Sequence, residues 1–373
     1  WGGGYKREQE RSAVCKPTPE KDPRVEAAIS HWAPRFVANG VPLADFQEVT
    51  ASVARWEDWC AAWSARAAIH ADLGNKALAG GHTISAGEHF TRAAVCYHFG
   101  KFLFVNDMAQ LREAHRRAVE CRNKALPYLQ PPGERVATPY EGKTLYGNLR
   151  KPAGVAKPPV VVMCMGLDSA KEEMDDYENR FLKRGLATLS FDGPGQGEAE
   201  YDFAVCPEYE RPVAAVFDFL ETRTDIDPAR AGIWGVSLGG YYAPRAAAFE
   251  KRIKACVALS GPFQRSADFT GRPQMNVEAF RVRAKCANLE EAGKVAVRFS
   301  LAECAKNITC PIYIVAGTKD RLTPHTQAEK LAASVSGPCV LSVIEGGNHV
   351  VNNLWYRYRD QTADWMAKQL RAV

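Results

Sequence analysis

The chain has 373 residues, 46% apolar and 24% charged, which suits a globular protein with room for two domains at roughly 150 residues each. Such a chain needs no disulfide or metal staples, and its apolar runs are too short to cross a bilayer, so no membrane partner is expected. The formal charge of +5, from 48 basic and 43 acidic residues, is spread without a dense Lys/Arg run; this argues against nucleic acid and reads as a solvated surface.

Residues 24–126 predict helices alone. Helical spacing puts Val25, Ile29, Trp32 and Phe36 on one face and Trp56, Trp59 and Trp63 on another, where tryptophans are expected to form core. Ser85-Ala-Gly-Glu88 has the pattern of a capping box and predicts a helix start. A further helix runs from about Asp107 to Leu126 and stops at Pro127. His82, His89 and His98 are seven and nine residues apart, which does not suit ligands on one helix face; they read as ordinary helix residues and no metal is predicted. Tyr97 and His98 are candidates to reach a substrate pocket. Leu129-Gln-Pro-Pro-Gly133 then breaks the pattern, dividing a helical region, 1–130, from an α/β region, 131–373.

Beyond the break, Arg135–Pro139 and Thr144–Arg150 predict a hairpin across Glu141-Gly142. Strand candidates follow at Val160–Met165, Ala187–Phe191, Gly232–Val236, Ile253–Leu259, Ile312–Ala316 and Val340–Ile344. Helical stretches near 172–184, 208–222, 239–249 and 325–335 lie between them, and another begins near 354. This alternation predicts an α/β fold: a mostly parallel sheet with helices on both faces. The 11 cysteines are widely spaced, and several, such as Cys164 and Cys256, sit in apolar runs as small core residues. That usage, and 30 opening residues without the apolar segment of a secretory signal, predict a cytoplasmic protein.

Gly235-Val-Ser237-Leu-Gly239 lies between a strand and a helix, the setting in which G-x-S-x-G forms a sharp turn with the serine hydroxyl exposed above the sheet. A serine needs a base, and the base needs a group to orient it. Asp320 follows the strand ending at Ala316, and His349 follows the strand ending at Ile344. Both therefore fall past carboxyl ends of strands, where open α/β sheets bind ligands. A turn acid and a loop histidine are the bland alternatives, but the order Ser, Asp, His is that of a hydrolase triad on this type of sheet. An oxyanion hole would take the Leu238 N–H and a second N–H at Gly166 or Leu167. Asp192-Gly-Pro-Gly-Gln-Gly-Glu198 lacks G-x-G-x-x-G spacing, and Pro194 removes a donor, so it reads as a tight structural loop and not a phosphate cradle.

Met165–Glu173, Phe191–Glu198, Gly235–Gly240 and Gly346–His349, with Phe90–His98 in the helical region, together resemble the 2,6-dihydroxypseudooxynicotine hydrolase and FrsA-like branch of α/β-hydrolases. The resemblance implies an α/β-hydrolase fold whose N-terminal helical domain is a lid over the active site. It implies cleavage of a carbon–carbon bond next to a ketone in an aromatic or polyketide-like substrate through an acyl-serine, with no cofactor. It carries the triad onto Ser237, Asp320 and His349, suggests Asp268 as a substrate-binding acid (a capping or surface acid is the alternative), and suggests a homodimer formed through the helical domain. Two other functions fit the same residues. One is a carboxylesterase or lactonase acting on an aryl or alkyl ester, and the other is a receptor that kept the fold without the chemistry.

Overall fold

The computed structural model describes residues 21–266 and 269–371. Five helices come first: α1 (Pro23–Ala38), α2 (Leu43–Ser52), α3 (Trp59–Ala79), α4 (Thr83–Lys101) and α5 (Met108–Ala125). Asp22 caps α1 by accepting the Arg24 N–H, and Pro23 takes the first turn, where a missing N–H costs nothing. The helix start predicted with Ser85 as its cap comes three residues late, since His82 holds the cap position. The helix α4 begins at Thr83, and Glu88, the supposed partner of a capping box, pairs with Arg92 one turn on. The tryptophans do form core. Trp56, Trp59 and Trp63 are almost fully buried, Phe36 stacks on Phe99 with centroids 3.8 Å apart, and Trp59 Nε1 donates to the Phe99 carbonyl at 3.0 Å, which satisfies its one polar atom.

A hairpin of β1 (Gly133–Tyr140) and β2 (Lys143–Arg150) opens the sheet, followed by β3 (Pro159–Cys164), α6 (Asp175–Leu182), β4 (Ala187–Phe191) and α7 (Glu210–Glu221). Next come β5 (Asp227–Val236), α8 (Gly239–Phe249), β6 (Ile253–Leu259), α9 (Gln274–Arg283) and α10 (Leu289–Ala296). The chain then forms β7 (Ile312–Gly317), α11 (Thr326–Ser334), β8 (Cys339–Ile344) and α12 (Arg359–Arg371). The eight strands are ordered β1-β2-β4-β3-β5-β6-β7-β8, antiparallel from β1 through β4 and parallel from there to β8. The helices α9 and α10 were not expected from the sequence, although Asn288 accepts the Glu291 N–H and so caps α10 with an ordinary signal.

Alternation along the strands builds two cores. Val160, Val162 and Cys164 face one way, with Phe217 of α7 and Tyr242 of α8. Val161 and Met163 face the other, with Phe181 of α6 and Met366 of α12. Helices therefore cover both faces, and the central strands read as unbroken apolar runs. The reading of the charges as a solvated surface holds only in part. Arg122 and Arg359 are buried, as are Glu173 and Glu178, and they join the first five helices to the sheet region. Their partners lie far apart in sequence, so no local charge pattern announced them.

Candidate active site

The turn after β5 sets the geometry. Ser237 has φ 57, a left-handed conformation that costs a non-glycine residue energy and persists only where its surroundings enforce it. The flanking glycines permit the turn. A Cβ at Gly235 would stand 1.9 Å from the Gly239 carbonyl oxygen, and one at Gly239 would stand 2.2 Å from that of Cys164. The Ser237 N–H is tied to the Leu259 carbonyl at 2.8 Å, which fixes the turn to the end of β6.

The three residues singled out in the sequence meet here. His349 Nε2 lies 2.8 Å from Ser237 Oγ, and His349 Nδ1 lies 2.8 Å from Asp320 Oδ2 and 3.0 Å from Oδ1. A carboxylate can only accept, so Nδ1 carries the ring proton and Nε2 is left to accept from the serine hydroxyl. Asp320 Oδ1 also accepts the Leu322 and Thr323 N–H groups at 2.9 and 2.8 Å. His349 sits on a strained loop: Val350 and Val351, both β-branched, have φ 60 and 54. The Val350 N–H donates to Ser260 Oγ at 3.1 Å, which ties the histidine loop to the end of β6.

The cleft at Ser237 is lined by Leu167 and Leu238. Among the described residues, neither backbone N–H has an acceptor. Gln196 orients the first of them. Its Nε2 donates to the Met165 carbonyl and, at 2.9 Å, to that of Gly166, while Tyr209 Oη donates to its Oε1 at 2.6 Å. In a trans peptide the N–H points opposite the C=O, so the Leu167 N–H points away from Gln196. Gly166 is packed tightly: a Cβ there would stand 3.1 Å from that of Ser237.

The helix α1 forms the facing wall, with His31, Trp32, Arg35 and Asn39. Arg35 donates to Glu173 Oε1 and Oε2 at 2.7 Å each, to Asp168 Oδ1 at 2.8 Å and to Ser169 Oγ at 3.0 Å. It thereby clamps the loop that carries Leu167. Glu173 also accepts from Asn39 Nδ2 at 2.6 Å and lies 3.0 Å from His98 Nε2. Burial alone would raise the Glu173 carboxyl, but the Arg35 charge and these hydrogen bonds hold it well below the usual range. Burial pushes His31 down to about 4.

Other sequence candidates fall elsewhere. His98 is fully buried behind Glu173 and does not line the cleft. Tyr97 lines a separate groove between α3 and α5, with Cys60 and Gln110. Neither is brought to Ser237; on a helix buried nearly all round, periodicity cannot tell which face meets a pocket. Asp268 lies outside the described residues. Gln196, Arg35, Arg265 and Arg272 line or brace the cleft and were missed; only the tight glycine loop around Gln196 gave any signal. Two side-chain clusters have the composition of metal ligands, Asp45/His70/Cys96 and His115/Glu172/Asp192. In each a protein cation already occupies the carboxylates: Arg66 is 2.8 Å from Asp45, and Lys171 is 2.7 Å from both Glu172 and Asp192.

With the geometry in place, known proteins can be set beside it. The family described as "Esterase FrsA-like" matches residues 47–371. The 2,6-dihydropseudooxynicotine hydrolase of Paenarthrobacter nicotinovorans is 33% identical over 91% of this chain and 92% of its own. The hydrolyase poxO of Penicillium oxalicum is 33% identical over 57% of this chain and 54% of its own. The crystal structure of the 2,6-dihydroxy-pseudo-oxynicotine hydrolase superposes with a TM-score of 0.83 at 32% identity, covering 91% of this chain and 96% of that one. AbyA5, at 18% identity and a TM-score of 0.68 over 92% of this chain and 98% of its own, shares the fold.

Proposed function

The chain belongs to the FrsA-like family of α/β-hydrolases, and on that ground we propose that it is a serine hydrolase cleaving the carbon–carbon bond next to a ketone in an aromatic or polyketide-like substrate. The observation that carries the reading is the continuous hydrogen-bond chain from Ser237 through His349 to Asp320 at the floor of the cleft. In this reading His349 Nε2 takes the Ser237 proton as Oγ attacks the ketone carbon. Asp320 holds the ring tautomer and stabilises the imidazolium. The N–H groups of Leu167 and Leu238 receive the developing alkoxide. As the intermediate collapses, the carbon–carbon bond breaks and its electron pair leaves on carbon as an enolate or electron-rich ring. The Nε2 proton goes to that carbon. Water, activated by the same histidine, then hydrolyses the acyl-serine to release a carboxylic acid. The relative named for hydrolysis of 2,6-dihydropseudooxynicotine supports the ketone substrate. The N-terminal helices act as a lid, since α1 walls the cleft and limits water at the leaving carbon.

A second reading, an esterase, has its own support in the family's description as esterases; the same residues would act on an ester with an easier leaving group. Matched aryl ketones and aryl esters, with products identified by mass spectrometry, decide between the two. Ketone cleavage that disappears in Ser237→Ala is the expected result. Ester cleavage alone would move the assignment to an esterase, and turnover retained in Ser237→Ala would remove the acyl-serine step.

A further inference from the structure

Arginines of two kinds line the Ser237 cleft. Arg35 is neutralised by Asp168 and Glu173. Arg265 and Arg272, on the segment between β6 and α9, line the same cleft, and among the described residues neither has a carboxylate within ion-pair distance. Arg265 Nε is buried with no hydrogen-bond acceptor, and its guanidinium lies 4.2 Å from the centre of the Phe280 ring. Arg272 spends one Nη1 donor on the Leu322 carbonyl at 3.1 Å. Two cations that can sense each other, one with an unused buried donor, are a costly arrangement without a counter-charge. Burial first, and then the charge of Arg272, push Arg265 down to about 9. An anion would relieve both effects.

We propose that Arg265 and Arg272 form an anion-binding wall and that the natural substrate carries a carboxylate held there while its carbonyl lies at Ser237. The planar guanidinium fork, with its Nε edge unoccupied, matches a carboxylate in shape and in number of donors. Apolar neighbours such as Trp32, Tyr177, Phe269 and Val277 line the rest of the cleft and suit an aromatic body. The substrate class is therefore an aromatic keto acid, or the corresponding ester acid. The inference rests on Ser237 as the reacting residue, but not on which bond is cleaved.

The test pairs 4-carboxylate with 4-carboxamide forms of an aryl ketone and of an aryl ester at fixed ionic strength. The carboxylate form should lead by about tenfold or more in kcat/KM, chiefly through KM, as expected for charge-assisted hydrogen bonds. Arg265→Met and Arg272→Met should each shrink that ratio toward one, and Arg265→Lys, which keeps the charge but loses the fork, should fall between. Labelling of Ser237 by a fluorophosphonate and an unchanged thermal midpoint identify variants that remain folded. Protection of wild-type Ser237 from that label by benzoate more than by benzamide gives the same answer without turnover or mutation. Equal handling of the two forms by the wild type, a preference for a 4-phosphate over the carboxylate, or a ratio that survives in both folded variants would overturn the proposal. So would a carboxylate preference that arises only in Asp268→Asn, since that would make Asp268 the resident anion. Turnover surviving Ser237→Ala strikes instead at the acyl-serine reading, so the two failures are distinguishable.

Discussion

Among single residues, His31 links the cleft to stability. Its folded value near 4 lies below the 6.5 of an unperturbed imidazole. Between those values the unfolded chain binds a proton that the folded chain refuses, so stability is complete above about pH 6.5 and declines as pH falls toward 4. With the ring partly exposed, the shift is worth about 2 kcal/mol. Chemical denaturation of His31→Gln at pH 7 and pH 4.5 should therefore show a loss on acidification smaller than wild type by about that amount; an equal loss in both proteins would count against it. At this scale the sequence disclosed the groups that follow strands in recognisable turns: Ser237 between its glycines, Asp320 after β7 and His349 after Gly346-Gly347. It did not disclose His31, Arg35, Arg265 or Arg272, because nothing in their local spacing differs from that of a surface helix or loop. Their significance arises from partners brought together by the fold, 138 residues away for Arg35 and Glu173.

Among elements, the decisive piece is the loop between β3 and α6. Its first half is gripped by Gln196 from one side and its second half by Arg35 from the other. The helix α1 thus does more than cover the cleft, for it sets the loop that presents the Leu167 N–H. Removing the Arg35 cation leaves Asp168 and Glu173 crowded and undercompensated, and the loop should relax. Arg35→Met is expected to lower kcat by about 10- to 100-fold, less than direct loss of an oxyanion donor costs, with a smaller change in KM. Arg35→Lys should recover part of kcat. Steady-state kinetics on whichever substrate is turned over checks this; a rise in KM alone would make Arg35 a substrate contact instead of a positioning residue. A parallel case is Ser260→Ala, which removes the acceptor for the Val350 N–H and frees a strained histidine loop. It should cost about 3- to 10-fold in kcat with little change in fluorophosphonate access to Ser237. The strands that carry these loops were legible because a buried parallel sheet demands unbroken apolar runs. The helices α9 and α10 were not, being short and placed after a loop whose residues carry no strong apolar period.

For the whole molecule, the question is whether the helical region and the sheet region unfold as one. Beside the Arg35 clamp on Asp168 and Glu173, three further buried polar joints among the described residues cross between them. Arg122 of α5 donates to Glu178 at 2.6 Å and to Asp175 at 2.8 Å on α6. Lys101 of α4 and Arg283 of α9 share Glu200, each at 3.2 Å. Arg359 of α12 donates to the Ala38 carbonyl at 3.0 Å and to Asn39 at 2.9 Å. Separating the two regions would bring these charges into water, but it would also strip the cover from the apolar surface at the joint. Buried pairs add little net energy when complete, yet losing one partner strands the other and costs about 3–5 kcal/mol. The joints therefore couple the two regions tightly. Scanning calorimetry should show a single transition in the wild type, in contrast to the independent unfolding that two loosely docked domains would give. Arg122→Met leaves Glu178 and Asp175, among the described residues, with Arg150 as their remaining cation, and should lower that single transition. Two transitions in the wild type, or a variant that loses only a minor early transition, would mean that the helices dock on an independently stable sheet. In that case the hold of α1 on the loop that carries Leu167 would vary with docking and not be a fixed property of the fold.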